Sequence, residues 1–133
     1  MKPKPFNSSS ARKALDRIWS ALVKRRDGHK CQKCGVPRAW EGHLHSAHIF
    51  GRKLMAVRWS LLNGVTLCWK CHGEWAHREV KEFQTWALAR LTPEERDYLI
   101  AESRKIVQFG PMFYESALQV LRAEENARWM PAK

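Results

Sequence analysis

Four cysteines stand in two CxxC pairs, Cys31-Gln32-Lys33-Cys34 and Cys68-Trp69-Lys70-Cys71, with 33 residues between them. The two-residue gap lets both thiolates of a pair reach one tetrahedral ion, and a second pair completes its shell. Thiolates are soft donors that suit Zn²⁺, and four of them leave no open position for a reacting group. Such a site is structural, and its binding energy would hold together a stretch with few apolar residues. Two disulfides would need an oxidising compartment. Redox-active CxxC motifs would be expected beside a thioredoxin-like βαβ pattern, which is not evident here. The cysteines therefore favour a structural zinc site, but a zinc module can bind without catalysing, so they leave function open.

The histidines carry more. Between and just after the pairs lie His45-Ser46-Ala47-His48-Ile49, Gly51-Arg52, Arg58-Trp59, Asn63, and His72 directly after Cys71. In this run the chain resembles the HNH (His-Me finger) nucleases that carry a zinc knuckle. In that family a histidine near the end of a first strand is followed by an asparagine and a second strand. A CxxC and a histidine or asparagine then open a helix. His48, Asn63 and His72 fall at the matching positions. The likeness covers residues 31–77 and is greatest to small phage-encoded HNH proteins, more distant to the NinG (Rap) recombination nucleases of lambdoid phages. Embedded between two CxxC pairs, the otherwise loose triad becomes specific.

The resemblance implies hydrolysis of a phosphodiester, which needs an activated water and a cation on the scissile phosphate and leaving oxygen. A neutral imidazole is a suitable base near pH 7, so His48 is the expected general base. The family implies that Asn63 orients the histidine loop through its amide, and that His72 holds a catalytic divalent ion, Mg²⁺ or Mn²⁺. Such an ion would keep most of its shell as water and phosphate oxygen. One departure stands out. Most HNH proteins place Asp, Glu or His immediately before the base, as a further metal ligand, and here that residue is Ala47. His45, Glu74, His77 or water could take the vacant role. His45 lies three residues before His48 and would not ordinarily share its face of a strand. His29 and His43 read as surface residues, and His45 leans the same way.

Charge supplies the partner. The chain of 133 residues carries a net charge of +11, and its placement is lopsided. Residues 1–60 hold 14 Lys and Arg against three acidic residues, whereas residues 61–133 hold ten of each. That field concentrates polyanions, and DNA is the expected one, although phosphate contacts do not separate DNA from RNA. Arg52, Lys53 and Arg58 follow the expected base and are candidates for holding flanking phosphates, with Lys24, Arg25 and Arg26 as a second basic group. The basic residues come with no matching exposed apolar stripe, which argues against a membrane surface. No apolar run reaches membrane-spanning length, and the N-terminus lacks the apolar core of a signal peptide. The expected location is the cytoplasm, a host's if the chain is phage-encoded.

The elements that must position these groups can be read from periodicity. Residues 1–10, with two prolines and a serine run, read as a flexible basic tail. Leu15, Ile18, Trp19, Leu22 and Val23 mark one face of a helix from about Ala11, stopped by Asp27-Gly28. Leu44–Phe50 and Val65–Leu67 are candidate strands. A helix should open near Trp69–Cys71 and run through Trp75, breaking or continuing into 78–91, where Val80, Phe83, Trp86 and Ala87 share a face. Thr92-Pro93-Glu94-Glu95 is a helix start, with a capping threonine and a glutamate three positions on, for a helix to about Val107. A last helix over 112–128 aligns Phe113, Ala117, Val120 and Leu121. Trp59, Trp69 and Trp75 are expected to pack around the knuckle.

The expectation is an α+β protein: a zinc-stapled domain over 11–91, made of a basic N-terminal helix followed by a ββα-metal core with a zinc knuckle, and a helical extension over 92–133. The expected activity is metal-dependent DNA cleavage leaving 5′-phosphate and 3′-hydroxyl ends, in phage-type recombination or genome processing. A branched DNA or Holliday-junction substrate would favour a homodimer able to cut symmetrically. The rival expectation is a non-catalytic zinc-knuckle module that binds nucleic acid.

Overall fold

A computed structural model describes residues 8–35, 43–108 and 110–127. It is an α+β structure built on one two-stranded antiparallel sheet. Helix α1 (Ser8–Arg26) forms because Ala11, Leu15, Trp19, Leu22 and Val23 fall on one side and are wholly buried. Its first turn includes Ser8–Ser10, so the expected tail shortens; residues 1–7 lie outside the described residues. The chain leaves the helix through Gly28 (φ 68°) and His29 (φ 54°), a left-handed exit that glycine makes without strain. The Asp27 carboxylate accepts the Thr66 N–H at 2.8 Å and pairs with Arg26, fastening the helix end to the middle of the second strand.

Strand β1 (Leu44–His48) pairs with β2 (Gly64–Cys68) in a register that sets His48 opposite Gly64 and Leu44 opposite Cys68. Every residue of β2 is buried, because α1 covers one face of the sheet and the segments after β2 cover the other. After β2 comes a π turn (Cys71–Ala76), then α2 (Val80–Ala89), α3 (Pro93–Ser103) and α4 (Pro111–Ala127). Helix α3 has the expected capping box, Thr92 with Glu95. It stops four residues short of Val107, where Ile106 is 98% exposed and offers no face to pack.

Two apolar clusters hold the molecule. One joins Leu44, Ala47, Val65 and Leu67 of the sheet to Ala76, Phe83, Ala87 and Leu99. The other joins α1 to α4 through Leu15, Trp19, Trp59, Tyr114 and Leu121. Leu99 belongs to the first cluster and Leu121 to the second, so the C-terminal helices contribute side chains to both. Trp59 packs against Phe113 and Tyr114 rather than the knuckle, and Trp69 is 49% exposed. Val80 and Val120, expected on buried faces, are exposed. Among the described residues no helix is long and apolar enough to cross a membrane.

Candidate metal centre and histidine cleft

The four cysteines meet at one place. Cys31 and Cys34 come from the turn after α1, Cys68 ends β2, and Cys71 begins the π turn. Their sulfurs all lie within 4.8 Å of one another, with Cys34 and Cys68 at 3.7 Å. A tetrahedron with Zn–S bonds of about 2.3 Å has sulfur–sulfur edges of roughly 3.8 Å, so the cluster could hold a metal such as zinc. The Cys34 N–H points at the Cys31 sulfur (3.5 Å) and the Cys71 N–H at that of Cys68 (3.4 Å). Burial opposes ionisation of Cys31, yet N–H groups of Cys34, Cys68 and Lys33 outweigh it and bring the thiol down to about 7. Burial and its sulfur neighbours push Cys71 up. Four clustered thiols cannot all ionise alone, and a cation is what would release the remaining protons.

His48 lies on the face of β1 that meets α1. Its ring stacks on Trp19 with centroids 4.0 Å apart and planes 10° from parallel. Ser46, two residues back on the same face, exchanges hydrogen bonds with Ser20: its hydroxyl donates to the Ser20 carbonyl and accepts from the Ser20 hydroxyl, each at 2.9 Å. His48 Nε2 donates to the Arg58 carbonyl at 3.0 Å, which fixes the proton there and leaves Nδ1 as the basic nitrogen. Burial lowers its pKa to about 4; the Arg58 carbonyl and Asp16 pull the other way and lose.

Asn63 sits fully buried behind the loop that follows β1. Its Oδ1 accepts the Phe50 N–H at 2.8 Å, and its Nδ2 donates to the carbonyls of Phe50 (3.0 Å) and Val57 (3.1 Å). The amide therefore closes the loop 50–57 directly after His48.

His72 follows the knuckle, inside the π turn. There the His77 N–H reaches the His72 carbonyl at 3.1 Å, five residues back, so the widened turn brings the His77 ring edge-on to that of His72. An α-turn would have put Ala76 there instead. The His72 ring is flanked on both sides: Nε2 meets His77 Nε2 at 3.0 Å, and Nδ1 meets His45 Nδ1 at 2.9 Å. Burial, then the charges of His77, His45 and His48, lower the pKa of His72 to about 4. Burial and neighbouring Lys24, His43 and His77 lower that of His45 as well.

The Ala47 departure now has a geometric counterpart. Ala47 is buried in the apolar cluster on the sheet face opposite α1. Side chains two apart on a strand share a face, so His45 stands on the same side as Ala47 and reaches His72 from there. Sharing a face with Ala47, rather than with His48, is what brings His45 to the site. Glu74 lines a different groove, beside the knuckle with Trp69 and Trp75.

His48, His72 and His77 line one cleft of about 970 Å³, together with the basic side chains of Arg12, Arg52, Lys53 and Arg58. Two basic residues expected at phosphates have internal work instead. Arg58 is only 8% exposed, and its guanidinium grips the Asp16 carboxylate at 2.7 and 3.1 Å. Arg26 donates to the carbonyls of Leu61 and Gly64, both at 2.6 Å, and pairs with Asp27. Arg25 is half-buried, and Lys24 stands close enough to His45 to act on its charge. Sequence reasoning missed Arg12, Asp16 and Trp19 as neighbours of the site. The one available signal was Asp16, the only acid in a helix with six basic residues. Comparison with protein-family models, with curated proteins and with solved structures gives no match for the chain.

Proposed function

We propose that the protein is a metal-dependent DNA endonuclease of the HNH type, with the β1–β2 hairpin, π turn and α2 forming its ββα-metal core. One observation carries the reading. A single cleft holds an imidazole with a defined basic nitrogen, His48, beside a second histidine, His72, anchored next to the cysteine cluster.

In this mechanism His48 Nδ1 takes a proton from the attacking water, and the Arg58 carbonyl holds the resulting imidazolium in place. The low proton affinity of His48 in the free protein rises when a phosphate anion sits beside it. Asn63 keeps the loop after β1 closed, and Arg52, Lys53 and Arg12 bind phosphates flanking the scissile bond. His72 would hold a divalent ion, which would supply positive charge where the phosphate and leaving oxygen become more negative. The products carry 5′-phosphate and 3′-hydroxyl ends, and the setting is cytoplasmic recombination or genome processing of the phage type. Branched DNA is a substrate to test, with a dimer as the species that would cut it symmetrically.

A second reading, a non-catalytic zinc-knuckle binder of nucleic acid, is favoured by the apolar burial of Ala47 where a ligand was expected. Purified protein incubated with supercoiled, linear and branched DNA and with RNA, with Mg²⁺, Mn²⁺, Co²⁺ or Ni²⁺ and with EDTA, decides between them. Metal-dependent cleavage of DNA supports the nuclease. Binding with no cleavage under any ion supports the binder, and cleavage of RNA alone moves the reading to a ribonuclease.

A further inference from the structure

Trp69 lies inside the second CxxC pair, where packing around the knuckle is expected, yet its side chain is half in solvent. One exposed ring says little by itself, but this one is held in place and lines a groove. The Trp69 N–H donates to the His43 carbonyl at 2.6 Å, and the two rings are tilted together with centroids 6.5 Å apart. Both residues line a groove of about 650 Å³, with Lys70, Glu74, Trp75 and part of the cysteine cluster. A zinc ion among the sulfurs would fill no more than one water's share of that space, about 30 Å³. The groove is therefore far wider than the metal centre needs. Cations stand beside it. Lys70 is exposed, and Lys33, exposed in the first CxxC pair, places Nζ 4.7 Å from the centre of the Trp75 ring.

We propose that this groove binds an unpaired nucleotide of DNA, with its base stacked on Trp69 and its flanking phosphates on Lys70 and Lys33. Aromatic faces with ammonium groups beside them are what a single strand needs, because its base faces are free to stack and its phosphates are anionic. A duplex keeps its base faces inside its own stack and offers the ring nothing. Glu74, the one acid in the groove among the described residues, repels phosphate but can accept from the amino group of a base. The groove and the histidine cleft lie on opposite sides of one element. Cys71, Glu74 and Trp75 of the π turn line the groove, whereas His72 and Ala76 line the cleft. A helical segment is about 10–12 Å across with its side chains, so a nucleotide in the groove lies close to the cleft along a strand. The inference deepens the nuclease reading and rests on it for its role: the DNA to be cut carries unpaired nucleotides beside the scissile bond, as at a branch or flap. Binding in the groove does not depend on cleavage.

The test uses the full chain and fluorescence anisotropy, with no divalent ion added so that the DNA stays whole. Three labelled DNAs are compared: a duplex, the same duplex with a single-stranded branch, and that branch with abasic sites in place of its bases. Wild type should bind the branched DNA more tightly than the duplex, and the abasic sites should remove most of the gain. Trp69→Ala should weaken binding of the branched DNA by about 10-fold, as loss of one stacked base does, and leave the duplex unchanged. Trp69→Phe should keep most of the affinity, with zinc content and circular dichroism as in wild type. Lys70→Ala should lower the slope of log K against log salt by about 0.7 on the branched DNA alone. Full affinity in Trp69→Ala, an equal loss on duplex and branch, or equal binding of the abasic branch would overturn the site. Should Trp69→Ala fail to fold, the abasic comparison with wild type decides alone. A Trp69→Ala loss confined to an RNA branch would overturn the assignment to DNA. The two readings fail separately. Preference for the branch with no cleavage under any ion keeps the groove and overturns the nuclease. Metal-dependent cleavage of plain duplex, with no effect of Trp69→Ala on any DNA, keeps the nuclease and overturns the groove.

Discussion

The imidazole of His48 lies flat on the indole of Trp19, with ring centroids 4.0 Å apart and planes 10° from parallel. The expected base is thus positioned by α1, an element outside the stretch that carries the family resemblance. Asp16, one turn earlier, completes the arrangement. Its carboxylate accepts from Arg58 at 2.7 and 3.1 Å and from Trp59 Nε1 at 2.8 Å, and the Arg58 carbonyl then accepts from His48. Burial alone would raise the pKa of Asp16, but these donors and the Arg58 charge hold it below the usual range.

Asp16 is therefore a positioning residue, acting on His48 through Arg58. Asp16→Asn should lower kcat for DNA cleavage by about 10-fold while KM changes little, because the loop carrying the Arg58 carbonyl is loosened. A parallel loss in kcat and in folded fraction, measured by circular dichroism, would point to a structural role alone.

The pH dependence follows from His48. Its pKa is lowered from 6.5 to about 4, chiefly by burial, so the neutral base is present throughout the range above that value. In the free protein the base form persists from pH 7 to about 5 and is lost as pH falls through about 4. Stability moves the same way: the unfolded chain takes up this proton first, so stability falls between about 6.5 and 4. The ring carbon-bound proton resonances of His48, followed by NMR titration, should report the low value. A midpoint near 6.5 would remove the burial argument.

Gly64 sets how closely α1 can approach the sheet. A Cβ there would stand 2.5 Å from Trp19 Cζ2 and 2.6 Å from Val23 Cγ2, both in the buried face of α1. Gly64→Ala should cost ~1–3 kcal/mol in chemical denaturation, as overpacking of a filled core does. It should also disturb the His48–Trp19 stack, so activity per folded molecule should fall further. Wild-type stability in Gly64→Ala would mean that α1 moves more freely than this packing implies.

How legible was this in the sequence? The cysteine cluster was, because CxxC spacing is set by the reach of two thiolates on one turn. The faces of α1 were too, because a 19-residue helix repeats its apolar period often enough to read. The histidine cluster was only half legible. Strand alternation separates His45 from His48, but Ala47 is the residue whose face matters. His77 depends on a π turn, which no propensity in Cys71–Ala76 announces. Arg26 and Arg58 look like phosphate ligands because charge is visible in a sequence, whereas their internal acceptors, the Asp16 carboxylate and the carbonyls of Leu61 and Gly64, are set by packing.

That division among the arginines can be measured. Removing Arg52 and Lys53 together should weaken DNA binding and reduce the slope of log K against log salt by about 1.8, or ~0.9 for each phosphate no longer neutralised. Arg26→Ala should instead lower stability, since it leaves the carbonyls of Leu61 and Gly64 without their donor, and should leave the salt slope nearly unchanged. The reverse pattern in filter-binding and melting experiments would move the nucleic-acid face to the end of α1.

The sharpest separation of enzyme from binder lies in His48 and His72. His48→Ala should reduce cleavage by ~10²–10⁴, the usual loss of a general base, with zinc content and DNA affinity close to wild type. His72→Ala should also lose activity, but by weakening the ion beside the reacting phosphate, so excess Mn²⁺ or Co²⁺ should restore part of it. The same ions should do nothing for His48→Ala, since no added cation replaces a missing proton acceptor. The double variant should fall short of the product of the two losses, because both groups act on one transition state. Full activity in His48→Ala would leave the nuclease standing without its base, and His45 would be the next residue to test. Absence of cleavage by wild type on every DNA and RNA substrate would leave the non-catalytic binding module.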